Sequence, residues 1–189
     1  VTITQGYLEN SKDHPIVFVT TGEKSFLNII LEKFDKKFQL EISTEDANNI
    51  LTLFQSNKKS DWVFNDEFSV VRLRVADNQG FLTLKGKTNG ISRPEFEYAL
   101  SYPLVVELLN YCPKFITKNR YLIPIENNLK IELDYFPQLN LHLAEIELPS
   151  ENVTFHKPAW LLDEVSHDKQ YFNNNLIKLV SPKTKEFKL

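Results

Sequence analysis

Six like-charged pairs, each with its members two residues apart, recur between positions 72 and 147 of this chain: Arg72 and Arg74, Lys85 and Lys87, Glu95 and Glu97, Lys118 and Arg120, Glu132 and Asp134, Glu145 and Glu147. A spacing of two is the period of a β-strand, in which alternate side chains share a face. The positions out of phase with the charges are apolar: Leu73 and Val75, Leu82 and Leu84, Phe96 and Tyr98, Ile131 and Leu133, Ala144 and Ile146. Each segment therefore reads as a strand with one charged and one apolar face. A face shaped by stability alone would mix signs, because like charges set close together weaken strand pairing. Here three strands are purely basic and three purely acidic. That segregation is expected where something highly charged lies between them. Guanidinium forks and lysine point charges neutralise a polyphosphate, while carboxylates hold a hard cation such as Mg²⁺ or Mn²⁺.

The rest of the chain supplies what such strands need. Alternation predicts strands at Ile16–Thr20, Phe26–Leu31, Phe38–Ser43, Phe68–Val75, Gly80–Lys87, Pro94–Leu100, Ile116–Leu122, Leu129–Phe136 and Leu141–Leu148. A helix is predicted from Thr44 to Phe54, where Glu45 and Asp46 suit the first turn and Ile50, Leu51, Leu53 and Phe54 form an apolar stripe. A second runs from Pro103 to Tyr111, with Leu104, Val105, Leu108 and Leu109 on one side. A shorter one is expected from Ala159 to Val165. Turn signals stand at Asp77–Gly80, Asn89-Gly90, Asn127-Asn128 and Pro137-Gln138, and the tail after Ser181 is expected to fray.

Composition narrows the class. With 189 residues, 42% hydrophobic and 14 of them Phe, the chain can bury one substantial core. A net charge of −3 provides no global basic field, so no nucleic-acid partner is expected and any anion site must be local. No membrane partner is expected either, since no apolar run approaches membrane-spanning length and no charged-then-apolar leader opens the sequence. One cysteine, Cys112, excludes an internal disulfide framework; it reads as a buried structural thiol in a reducing, cytoplasmic setting. His14, His142, His156 and His167 fall into no metal-ligand spacing, and no glycine-rich phosphate loop occurs. His142 reads as a packing or surface residue, Trp62 and Trp160 as core or lid anchors, and Tyr121, Tyr135 and Phe136 as core aromatics.

A weak internal echo is also visible. With Phe26 placed on Phe81, Val17 and Val19 fall where Arg72 and Arg74 stand, and Ile30 falls where Lys85 stands. Either the first stretch is a copy that has lost its charges, or two strand-rich stretches resemble each other by chance.

In order, the charged segments resemble the motifs of the CYTH superfamily of triphosphate tunnel proteins. Val70-Val71-Arg72-Leu73-Arg74 is similar to its RxR strand, Leu82-Thr83-Leu84-Lys85-Gly86-Lys87 to TxKxK, and Glu95-Phe96-Glu97 to ExE. Lys118-Asn119-Arg120-Tyr121 resembles KxRY, Glu132-Leu133-Asp134-Tyr135-Phe136 resembles ExDxF, and Ala144-Glu145-Ile146-Glu147-Leu148 resembles AExEL. Pro158-Ala159-Trp160 through Glu164-Val165-Ser166, then Asp168, Tyr171 and Asn173, resembles the closing segment. The likeness spans residues 68–178 and leaves 1–67 as a divergent part of a single domain covering 1–189. It implies an α+β fold: a mainly antiparallel, eight-stranded tunnel, closed or nearly so, with helices packed outside.

The resemblance implies substrate contacts from Arg72, Arg74, Lys85, Lys87, Lys118 and Arg120, with Glu95 and Glu97 balancing the basic wall or orienting water. It implies metal ligation by Glu145, Glu147, Asp134 and Glu132, with Mg²⁺ or Mn²⁺ as the cofactor, and catalytic roles for Glu145, Glu147 and Lys85. The implied partner is a triphosphate-containing small molecule, and the implied activity is hydrolysis of inorganic triphosphate or a nucleoside triphosphate; a homodimer is compatible with this. The family's opening ExExK strand, which supplies metal ligands, is not found. Thr4-Gln5-Gly6-Tyr7-Leu8 resembles the QxYL strand that follows it, and Phe38–Ile42 has Gln39 where a glutamate is needed. The missing strand either lies upstream of Val1 or has diverged with a weakening of the metal site. A non-catalytic triphosphate- or polyphosphate-binding protein is therefore the first alternative, and adenylate cyclase chemistry, also hosted by the family, the second.

Overall fold

A computed structural model describes residues 1–8, 16–21, 23–53, 62–63, 68–86, 95–150 and 153–182. Among these, eleven strands and three α-helices follow the order β1 Thr2–Leu8, β2 Ile16–Thr21, β3 Lys24–Leu31, β4 Lys36–Ile42, α1 Thr44–Leu53, β5 Trp62–Val63, β6 Phe68–Ala76, β7 Gln79–Gly86, β8 Glu95–Leu100, α2 Tyr102–Leu109, β9 Phe115–Pro124, β10 Lys130–Phe136, β11 Leu141–Ile146 and α3 Asn173–Leu179. The strands form a seven-stranded sheet, ordered β11-β10-β9-β1-β6-β7-β8, and a four-stranded sheet, ordered β4-β3-β2-β5. The class is α+β with mainly antiparallel pairing, as the alternating pattern requires.

The chain divides into two compact units. One comprises Val1–Tyr7, Leu73–Phe81 and Ala99–Leu189, the other Leu8–Arg72 and Leu82–Tyr98. In the first, α2 buries Val105, Val106, Leu108 and Leu109, and Cys112 just beyond it is also buried, as expected. This helix lies so close that only glycine fits beneath it at two points. A Cβ at Gly6 would stand 2.9 Å from Cys112 Sγ, and one at Gly80 would stand 2.6 Å from Val105 Cγ2. The tight β6–β7 hairpin turns on Asp77 and Asn78, both at positive φ, the twist that two-residue hairpins favour. A second core cluster joins Leu176, Ile177 and Val180 of the α3 region to Ile116 and Phe136. In the other unit, Ile16, Phe18, Leu27, Ile29, Leu40 and Ile42 are buried, as are Ala47 and Ile50 of α1. Each such buried branched side chain contributes about 1.5–3 kcal/mol of hydrophobic stabilisation.

Three expectations are corrected. Ala159–Val165 forms a turn and extended chain instead of a helix, with Trp160 and Leu162 exposed, so Trp160 anchors no core. The helix in this part of the chain is α3, whose apolar stripe is too short to stand out in the sequence. Tyr121 is 57% exposed and is no core aromatic, whereas Phe136 is buried and Tyr135 stacks on His142 with ring centroids 4.5 Å apart. The helices also do not all cover the apolar strand faces. Ile116 shares a face with Lys118, and Phe136 with Asp134, so α3 packs onto one end of a charged face. The expected helix end at Phe54, the loop at Asn89-Gly90 and the tail after Pro182 lie outside the described residues.

Candidate functional site

Two charged clusters arise, one in each unit. The first is built on β6, β7 and β8. Because β7 lies between the other two strands, Arg72 and the β8 glutamates reach towards each other across it. Arg72 Nη2 donates to Thr83 Oγ1 at 3.1 Å and to Glu97 Oε2 at 3.4 Å, and lies 3.8 Å from Glu95 Oε1. The Thr83 hydroxyl in turn donates to Glu97 Oε2 at 2.9 Å, and Lys85 Nζ pairs with Glu95 Oε2 at 2.7 Å. Thr83 is fully buried. Arg72 Nε is buried with no hydrogen-bond partner among the described residues. A buried guanidinium N–H left unmatched in this way is a donor in want of an acceptor. Arg74, described within the other unit, places Cζ 4.6 Å from the centroid of Phe81, a cation–π contact. Lys87 lies outside the described residues.

The second cluster stands on β9, β10 and β11, and strand register assembles it. Asp134 is opposite Arg120, and Glu132 is opposite Glu145. Asp134, 1% exposed, accepts from Lys118 Nζ at 2.5 Å, from Arg120 Nε at 2.7 Å and from Arg120 Nη2 at 2.6 Å. Arg120 Nη1 also donates to Glu132, and Nη2 donates to Glu145 Oε2 at 3.2 Å. Lys130 adds a pair to Glu132 at 3.2 Å. Burial pushes the Lys118 ammonium below its ordinary pKa, an effect Asp134 opposes. Burial also works against the charge on Arg120, but Asp134, Glu132 and Glu145 together hold it above the usual guanidinium value. The two glutamates facing each other across β10 and β11 would repel, and Arg120 between them relieves that.

Much of the sign segregation is thus answered from within the protein. Strands of one sign lie beside strands of the other, and Asp134 and Glu132, expected as metal ligands, hold cations. Glu145 is 49% exposed at its side chain and Glu147 is exposed just past β11. Their oxygens suit a hard cation. Among the described residues, however, no group of three or more His, Cys, Asp and Glu is arranged to hold a metal. The fit to a metal centre is therefore partial, resting on the two exposed glutamates. Thr83 is the site-forming residue that charge reasoning passed over; the signal was its place two residues before Lys85, inside the motif resembling TxKxK.

The CYTH domain model matches residues 59–178, a span that contains all six charged pairs. The chain belongs to the CYTH family. Among CYTH relatives, a protein named inorganic triphosphatase from Acetivibrio thermocellus is 44% identical over 121 residues, covering 62% of this chain and 77% of the relative. A second protein of that name, from Nitrosomonas europaea, is 33% identical over 114 residues, covering 56% and 73%. The crystal structure of the hypothetical protein NE1496 superposes with a TM-score of 0.51 at 22% identity, covering 96% of this chain and 87% of that one, a likeness of fold alone. Among the described residues no helix is long and apolar enough to cross a membrane.

Proposed function

We propose that this CYTH protein is a triphosphatase that hydrolyses inorganic triphosphate within a tunnel lined by its charged strands. The observation that carries the reading is the buried, part-satisfied Arg72 guanidinium among the basic strands of a chain 44% identical to a protein named inorganic triphosphatase. The order of the seven-stranded sheet supports it. Basic β9, β6 and β7 flank neutral β1, and acidic strands stand outside them on both sides. Arg72, Arg74, Lys85, Lys118 and Arg120, with Lys87, take the phosphate oxygens, and carboxylate partners hold Arg72, Lys85, Lys118 and Arg120 in place beforehand. The N–H of Arg72 Nε supplies a donor that an anion satisfies at no cost to the protein's own bonds. Glu95 and Glu97 orient the basic side chains, and Glu145 and Glu147 remain to hold Mg²⁺ or Mn²⁺. CYTH triphosphatases generally depend on a divalent metal, and such an ion would supply charge neutralisation on the transferring phosphoryl group. Glu145, Glu147 and Lys85 are the candidates for orienting water and leaving group. A nucleoside triphosphate is the other candidate substrate.

The absence of a three-ligand metal cluster among the described residues favours a second reading, a triphosphate-binding protein without turnover. Thermal stabilisation by tripolyphosphate and by ATP, measured beside phosphate release with Mg²⁺ and Mn²⁺, separates the two. Stabilisation with release of phosphate from tripolyphosphate supports the enzyme. Stabilisation without release leaves only binding, and neither signal overturns both. Cyclic AMP among the products of ATP would instead establish cyclase chemistry.

A further inference from the structure

The echo between residues 16–53 and 68–109 has a structural counterpart that identifies a positioning residue. Strands β2, β3 and β4 followed by α1 repeat the order of β6, β7 and β8 followed by α2, and in each sheet the third strand is an edge beside the second. The eight residues of β3 and of β7 pass through exposed, half-buried and buried in the same order. With Phe26 on Phe81 and Phe38 on Phe96, Asn28 falls on Thr83 and Gln39 on Glu97. Asn28 and Thr83 are both buried polar side chains. Gln39 Nε2 donates to Asn28 Oδ1 at 3.1 Å, and Thr83 Oγ1 donates to Glu97 Oε2 at 2.9 Å. One cross-strand polar bond thus recurs at one place in both stretches. The cations do not recur: Val17, Val19 and Ile30 stand where Arg72, Arg74 and Lys85 do.

We infer that the two stretches are copies of one strand-strand-strand-helix unit, and that Thr83 is the positioning residue of the charged copy, fixing Arg72 for the anion. This rests on the triphosphate reading above. In the uncharged copy the bond joins two strands and has no cation to orient. In the charged copy the buried oxygen at the matching place donates across the strands to Glu97, the reverse of the Asn28 bond, which leaves it to accept from Arg72 Nη2. Its β-branched side chain is restricted to few rotamers and its burial excludes competing water, so the acceptor has a fixed place. Arg72 is gripped at Nη2 by oxygens from two strands, with Nε left unpaired among the described residues. The uncharged copy offers no such grip, so it provides no tripolyphosphate site of its own.

Tripolyphosphate titrated into the full chain by calorimetry tests this. The expected stoichiometry is one site per chain. Thr83→Val should weaken affinity roughly tenfold, as loss of a hydrogen bond to a charged group does, while Thr83→Ser restores it. Added to Arg72→Ala, Thr83→Val should cost nothing further. Asn28→Leu, which removes the matching bond in the uncharged copy, should lower stability and leave affinity unchanged. Should Thr83→Val not fold, Thr83→Cys keeps the volume with a much weaker acceptor and serves the same comparison. Wild-type affinity in Thr83→Val, an equal loss in the Arg72→Ala background, or an equal loss from Asn28→Leu would overturn the positioning role alone. No binding by the unmodified chain would overturn the triphosphate reading with it.

Discussion

Asp134→Asn isolates the pair on which the β9–β10 cluster depends. The carboxylate is 1% exposed and its principal partners, Lys118 and Arg120, sit on the neighbouring strand at 2.5 to 2.7 Å. Arg120 keeps Glu132 and Glu145 after the substitution. Lys118, only 4% exposed, loses its nearest anion. Breaking a buried pair by removing one partner costs about 3–5 kcal/mol, since the remaining charge stays desolvated. The lower end applies here, because asparagine still offers an acceptor oxygen and burial already eases the release of the Lys118 proton. A loss of about 3 kcal/mol is a large share of a typical 5–15 kcal/mol, and lowers Tm by roughly 6–12 °C in a chain of this size. Urea unfolding followed by circular dichroism measures it, run with a chelator present. A metal ligand would show little cost once metal is withdrawn, whereas an ion-pair anchor shows the full cost. Adding Lys118→Met should recover part of the loss by removing the stranded charge. A loss below about 1 kcal/mol in chelator, or one that appears only with Mg²⁺, would refute the reasoning.

Other outcomes follow from the same geometry. Arg72→Ala should weaken tripolyphosphate binding strongly, with a shallower dependence of affinity on salt, because one phosphate contact is lost while the fold remains; unchanged affinity in calorimetry would remove Arg72 from the site. Tyr98 carries a buried hydroxyl with no partner among the described residues, and its pKa is raised by burial and then by the Asp46 charge. Since the folded chain retains that proton longer than the unfolded one, the stability Tyr98 contributes is intact below about pH 10 and falls as pH rises beyond it. Tyr98→Phe should therefore be neutral or stabilising at pH 7 and flatten the alkaline decline in denaturant midpoint; a steeper decline would contradict this. Gly80→Ala should cost about 1–3 kcal/mol in thermal unfolding, because the new methyl meets Val105 Cγ2 at 2.6 Å and Leu100 O at 3.1 Å.

The strands bearing like-charged pairs were legible because period-two alternation survives wherever one face is apolar. Alternation did not show β1, since Ile3 to Gly6 are buried on both faces; only the likeness of Thr4–Leu8 to the QxYL strand pointed to it. Its place between β9 and β6 also escaped, because sheet order is not chain order. That order decides the meaning of the charges. Segregated signs suggested an external partner throughout, yet Arg120 meets Asp134, Glu132 and Glu145 because register brings the acids of β10 and β11 to its side. Ala159–Val165 misled for the converse reason: Leu161, Leu162 and Val165 have helical spacing, but Leu162 is left exposed, and a short helix gains most of its stability from packing. In α3 two buried residues, Leu176 and Ile177, suffice because Ile116 and Phe136 receive them. Thr83 was present in a recognised motif, and only its burial between Arg72 and Glu97 gave it a task.

The central claim is that the charged strands serve triphosphate hydrolysis. The most direct measurement is release of phosphate from tripolyphosphate by the purified chain, with Mg²⁺ or Mn²⁺ and with chelator, beside Arg72→Ala. The account predicts metal-dependent release by the unmodified chain and a sharp fall in the variant. Release that is equal in both proteins, or no release under any condition while the chain is folded, would contradict it.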